Sequence, residues 1–111
     1  MAKFHLFLTD YERDREIPSS EAIERTLEEV LDEFDRLSDV EGNFLGLYPP
    51  GGGVVQFMYN DEVSLTIDVP QPERRESLTR LASFDECRRI IVDLGKGSRP
   101  EGISGLQSVG W

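Results

Sequence analysis

The sequence is poor in the residues that most small reactive centres need. It holds one cysteine, Cys87, and one histidine, His5. A lone cysteine excludes an intramolecular disulfide and fits a reducing compartment. A zinc centre takes three or four ligands, so one His and one distant Cys predict no metal. A nucleophilic triad would need His5, a serine or Cys87, and a carboxylate brought together by the fold, and nothing local does so. Basic charge is also scarce. Twelve Lys and Arg stand against 22 Asp and Glu, a net charge of −10. That balance argues against nucleic-acid phosphates as a partner, because they require a basic footprint. No apolar run approaches the roughly 20 residues of a membrane span. The start, Met-Ala-Lys-Phe-His-Leu-Phe-Leu-Thr-Asp, lacks a signal-peptide layout. These absences predict a cytoplasmic protein that binds neither nucleic acid nor membrane and carries no cofactor.

What is present is bulk for a core and a split in charge. Six Phe, three Tyr and one Trp in 111 residues fit one folded domain that needs no disulfide. Residues 1–73 carry seventeen acidic and five basic groups. Residues 74–99 reverse the sign, with Arg74, Arg75, Arg80, Arg88, Arg89, Lys96 and Arg99 against four acids. Such a split concerns partners and solubility rather than fold.

Phe4, Leu6 and Leu8 alternate with Lys3, His5 and Thr9 and predict a strand over 3–9. Phe7 breaks the alternation, which implies partial cover on the second face. Residues 10–16 read as a solvated loop. Pro18, Ser19 and Ser20 signal a helix start, and Ile23, Leu27, Val30, Leu31, Phe34 and Leu37 follow at helical spacing. They predict a helix over about 20–38. Strand-like runs follow at Phe44–Tyr48, Val54–Tyr59 and Val63–Val69. The last alternates cleanly and ends at Pro70 and Pro72. Residues 76–82 lean to a fourth meander strand. Ser83 and Glu86 form a capping-box pair ahead of Phe84, Cys87, Ile90, Ile91 and Leu94. The expected fold class is α+β: a mostly antiparallel sheet in the order βαββββα, with two helices on one face. Residues 1–94 form the domain. Residues 95–111, with five glycines, form a C-terminal tail docked through Ile103, Leu106, Val109 and Trp111, with Trp111 near the second helix. The expected core is Phe4, Leu6, Leu8, Ile23, Leu27, Leu31, Phe34, Val55, Phe57, Leu65, Ile67, Ile90, Ile91 and Leu94.

Pro49-Pro50-Gly51-Gly52-Gly53 is followed by a strand, not by a helix with Lys and Ser or Thr, so it reads as a hairpin connection rather than a phosphate loop. Cys87 falls on the apolar side of the second helix and reads as a buried, inert thiol. The first helix carries the sharpest functional signal. Glu21, Glu24, Glu28, Glu29, Asp32, Glu33 and Asp35 are relieved only by Arg25 and Arg36. Like charges at i,i+4 cost a few tenths of a kcal/mol each, which a purely structural helix would avoid. The bland alternative is a solvated face. The functional one is a docking surface for a basic protein, with Tyr48, Tyr11 and Trp111 as available anchors.

The amphipathic helix Ile23–Leu37, the meander Phe44–Val69, the helix Phe84–Leu94, and Arg99, Pro100 and Trp111 follow one another in an order that carries a resemblance. The chain resembles the small acidic immunity proteins of bacterial polymorphic and contact-dependent toxin systems, one family of which ends in Arg-Pro…Trp. The resemblance implies a non-catalytic inhibitor that binds and blocks a cognate toxin, with Trp111 as a packing residue. Two further readings stay open. One is a small enzyme or ligand-binding module using His5, Tyr48, Tyr59 and an arginine in a pocket between sheet and helices. The other is a self-assembling protein, such as a homodimer in which the Arg88/Arg89 region meets the acidic helix of a second copy.

Overall fold

In a computed structural model that describes residues 3–111, the first alternating run becomes the strand β1, Phe4–Asp10. The charged segment after it is not a loop throughout. It turns back at once, and β2 (Arg15–Ile17) pairs antiparallel with Leu8–Asp10. The chain leaves the ladder at Pro18, whose missing N–H cannot continue the pairing. It makes a 3-10 turn over Ser19–Glu21 and returns as β3 (Ile23–Arg25), which pairs with Phe4–Leu6. β2 and β3 are thus one interrupted edge strand along β1.

The helix expected over 20–38 is shorter. α1 spans Leu27–Arg36. The Thr26 Oγ1 accepts the Glu29 N–H at 3.2 Å, and Glu29 Oε1 accepts the Thr26 N–H at 2.9 Å. This capping box starts the helix, whereas the serines at 19 and 20 cap nothing. Ile23 shares the helical spacing by coincidence and lies on β3, opposite Leu6.

The meander follows as β4 (Phe44–Tyr48), β5 (Val55–Tyr59), β6 (Leu65–Gln71) and β7 (Glu76–Ala82). The stretch 76–82 is a strand, and Pro70 lies inside β6, beyond the residues that pair with β5. Val63 is not in a strand. It stands exposed in the turn that Asp61 closes by accepting the N–H groups of Val63 and Ser64, both at 2.9 Å. α2 (Phe84–Gly95) starts from the Ser83/Glu86 capping box, and Gly97, at φ 106°, takes the left-handed position after it. The tail then rejoins the sheet: β8 (Gln107–Gly110) pairs with β7.

The result is an α+β fold with an eight-stranded antiparallel sheet, ordered β2-β1-β4-β5-β6-β7-β8, with β3 beside β1. The expected order βαββββα is there, extended by the short strands β2, β3 and β8. Both helices contribute to one core with one face of the sheet. Phe4, Leu6, Leu8, Phe34, Val55, Phe57, Leu65, Ile67, Ile91 and Leu94 are buried in it. Ile23, Leu27, Leu31 and Ile90 pack half-buried at its margin. The Phe34 ring joins the two helices to the sheet, stacking on Phe84 at 4.8 Å and lying 6.0 Å from Phe57. No helix among the described residues is long and apolar enough to cross a membrane.

Candidate protein-binding surface

The acidic residues expected to form one helix face are dispersed and mostly engaged. Glu21 is in the 3-10 turn and Glu24 is on β3, so neither belongs to α1. Glu24 pairs with Lys3 at 3.0 Å, which holds its carboxyl below the usual range. Glu29 is the capping carboxylate, lowered by the Thr26 N–H. Asp32 lies 3.7 Å from Arg36. Glu33 is not exposed. It is buried against the sheet edge, where Arg15 donates to both its oxygens at 2.9 and 3.2 Å. That fork holds Glu33 below the ordinary carboxylate range despite its burial. Asp35 accepts two bonds from Arg88 of α2, at 2.7 and 2.8 Å, and is lowered by them. Glu21 and Glu28 are exposed with no ion-pair partner among the described residues. The charge complementarity that could have joined two copies through Arg88 is therefore used within one chain.

The residues of the pocket reading are also separated. His5 is exposed, between Glu24 on β3 and Tyr48 on β4. Tyr59 is buried on the other side of the sheet, and burial pushes its hydroxyl up to about 12. Cys87 is buried in the core, and burial pushes its thiol up to about 12, which makes it a poor nucleophile.

The register brings a different set together. Residues 5, 7 and 9 of β1 point away from the helices, and cross-strand pairing carries that face onward. It continues through Phe44, Gly46 and Tyr48, then Gln56 and Met58, then Thr66, Asp68 and Pro70. It ends with Ser77, Thr79 and Leu81 on β7 and with Gln107 and Val109 on β8. Both α1 and α2 pack on the opposite face of the sheet. Of eight exposed large apolar residues among the described residues, five belong to it: Tyr48, Met58, Leu81, Val109 and Trp111. Trp111 is not near α2. Its backbone N–H donates to the Arg75 carbonyl at 2.9 Å and its Nε1–H to Ser77 Oγ at 3.1 Å. The indole, 67% exposed, is thereby fixed at the rim of the uncovered face.

At the other end, Phe7 lies over Gly46, where any Cβ would collide with its ring. Phe44 and Tyr48 flank it at 6.3 and 5.4 Å. This explains why Phe7 is buried on a face with no second layer. Three hollows indent the face: one of about 460 Å³ near Phe7, one of about 230 Å³ near Trp111, both lined in part by Gln56, and one of about 410 Å³ between Thr66, Leu81 and Gln107, with Arg80 at its margin. Across β4–β8 the outward positions carry one formal charge, Asp68. Sequence reasoning found Tyr48 and Trp111 but missed Met58, Leu81, Val109 and Asp68. Their signal was the outward half of each alternating run.

Compared with family models, curated proteins and solved structures, the chain matches none.

Proposed function

We propose that this chain is a non-catalytic acidic binding protein that blocks a basic protein partner, in the manner of an immunity-type inhibitor, and that the partner docks on the uncovered sheet face. The observation that carries the reading is the collection of Tyr48, Met58, Leu81, Val109 and Trp111 on that face. Met58, Val109 and Trp111 line one hollow on that face, and exposed apolar groups gathered together mark interaction sites rather than ordinary surface. Rigid aromatic side chains supply most of the affinity at protein interfaces, and Trp111 and Tyr48 have that character. The net charge of −10 speeds encounter with a basic partner and excludes acidic ones.

The test starts from the tagged chain and the protein it captures in its own cells, followed by affinity measurements on the purified pair. The pair Met58→Asp with Leu81→Asp is expected to weaken binding about 100-fold or more. The pair Glu28→Lys with Asp32→Lys should weaken it less than about tenfold, mainly by slowing association and flattening the salt dependence. An acidic partner, or sheet-face variants that bind like the wild type while remaining folded, would overturn the proposal.

A further inference from the structure

The smallest hollow on the uncovered face has a feature found nowhere else among the described residues. Asp68 Oδ1 is buried and has no hydrogen-bond partner. Buried polar atoms are nearly always partnered, and a missing partner costs stability. Asp68 sits between Gln56 of β5 and Thr79 of β7, near the middle of the sheet. No lysine or arginine among the described residues forms an ion pair with it, although eight other ion pairs form across the chain. A carboxylate without an ion-pair partner, at the one charged outward position of β4–β8, favours a positively charged group of a partner.

We infer that this hollow is the socket for one arginine side chain of the docking partner, with its guanidinium on Asp68 and its stem between Met58 and the Trp111 indole. The inference rests on the docking face proposed above and names what that face reads. Four features favour a guanidinium. The hollow, about 230 Å³, is smaller than the roughly 300–1,000 Å³ of small-molecule pockets, so it suits the end of a side chain rather than a whole ligand. Its walls offer hydroxyl oxygens. Ser77 Oγ accepts from the Trp111 indole and Thr66 Oγ1 donates to Asn60 at 2.9 Å, which leaves lone pairs on both. A guanidinium brings five N–H donors and no acceptor, and so matches a carboxylate ringed by hydroxyls. The Trp111 ring, held by its two hydrogen bonds, offers a face for cation–π stacking, which Arg uses more readily than the strongly hydrated Lys ammonium. The Cβ–Cγ torsion of aspartate is soft, so a modest rotation presents both oxygens to the incoming fork.

The test uses acetyl-arginine amide on the full chain, followed by two-dimensional amide NMR, with acetyl-lysine amide and the uncharged acetyl-citrulline amide as comparisons. The arginine probe, titrated to about 50 mM, should give saturable shifts at Thr66, Asp68, Thr79 and the Trp111 indole N–H. Lysine should bind at least about fivefold more weakly and citrulline not at all. Asp68→Asn should abolish the shifts without lowering the melting temperature, since it removes an unpartnered buried charge, and Glu28→Gln should leave them intact. Shifts that survive Asp68→Asn would overturn the inference. So would equal binding of lysine or citrulline, no shift at these positions, or an Asp68→Asn chain that melts several degrees lower. If the probe fails while Met58→Asp with Leu81→Asp still weakens the captured partner, the docking face stands and the arginine socket falls.

Discussion

The two faces of the sheet are made from the same strands and differ in what closes them. On the inner face, Phe57, Ile67 and Leu65 have no exposure, and α1 and α2 seal them in. On the outer face, their immediate neighbours Met58, Thr66 and Asp68 stand open or half-open. Charge follows the opposite trend. The helical side carries most of the acidic groups first read as a binding surface, yet Glu33, Asp35, Asp32 and Glu29 are engaged within the chain. The outer face is nearly free of charge. A surface rich in charge can therefore be internally satisfied, while an almost neutral one leaves its apolar side chains uncovered.

The comparison is broken most sharply by truncating neighbours on one strand. Phe57→Ala opens a cavity beneath Phe34 and should cost about 3–5 kcal/mol. Met58→Ala, one residue on and 40% exposed, should cost less than about 1 kcal/mol. Urea unfolding of both variants checks this, and equal losses would mean that the outer face is packed after all.

A second, smaller effect lies in the polar knot that ties the end of α1 to the sheet. Asn43 is fully buried. It donates to Asp10 Oδ1 at 3.1 Å and to the Ser38 carbonyl at 3.0 Å, and it accepts the Tyr11 N–H at 2.9 Å. Asp10 also accepts the N–H groups of Ser38 and Arg13. Asn43→Ala leaves several of these groups unpaired and should cost about 2–3 kcal/mol in the same unfolding experiment. A loss under about 0.5 kcal/mol would show that the knot contributes nothing.

The general layout was legible in the sequence because strands with a buried face repeat every two residues, as 65–69 does, and because capping boxes are local. The Ser83/Glu86 pair located the start of α2 to the residue. The same signal at Thr26/Glu29 was overlooked in favour of Pro18-Ser19-Ser20, and Ile23 appeared to prolong the helical period. β3 and β8 escaped notice because such short strands depend on the distant partners β1 and β7, which no local pattern reports, and β2 because its three residues lie in a run of mixed charge with no alternation. The site was only partly legible for a related reason. Tyr48 and Trp111 are conspicuous as aromatics, but Met58, Asp68 and Leu81 become one surface only through strand register. Nor could spacing alone show that Arg15 reaches Glu33 or that Arg88 reaches Asp35.

The smallest predicted effect sharpens the contrast in charge. Burial raises the Asp10 carboxyl, but the Ser38 and Arg13 N–H groups outweigh it and leave it below its ordinary value. Glu33 is lowered chiefly by Arg15. Groups with depressed folded values contribute stability that is fully present above the ordinary carboxylate range and is lost as pH falls through the depressed values. Arg15→Gln should therefore destabilise by about 1 kcal/mol near neutral pH, with the difference from wild type shrinking as acid is added. A difference that stays constant from neutral to acid pH would remove Glu33 from this account.

The central claim is that partners meet the uncovered sheet face and not the acidic helix. Site-specific photo-crosslinking tests it most directly, with benzoylphenylalanine placed in living cells at Met58 in one chain and at Glu28 in another. The account predicts a discrete adduct with a basic protein from position 58, lost when Trp111→Ala is added, and little or none from position 28. An adduct from position 28 with none from position 58 would contradict it.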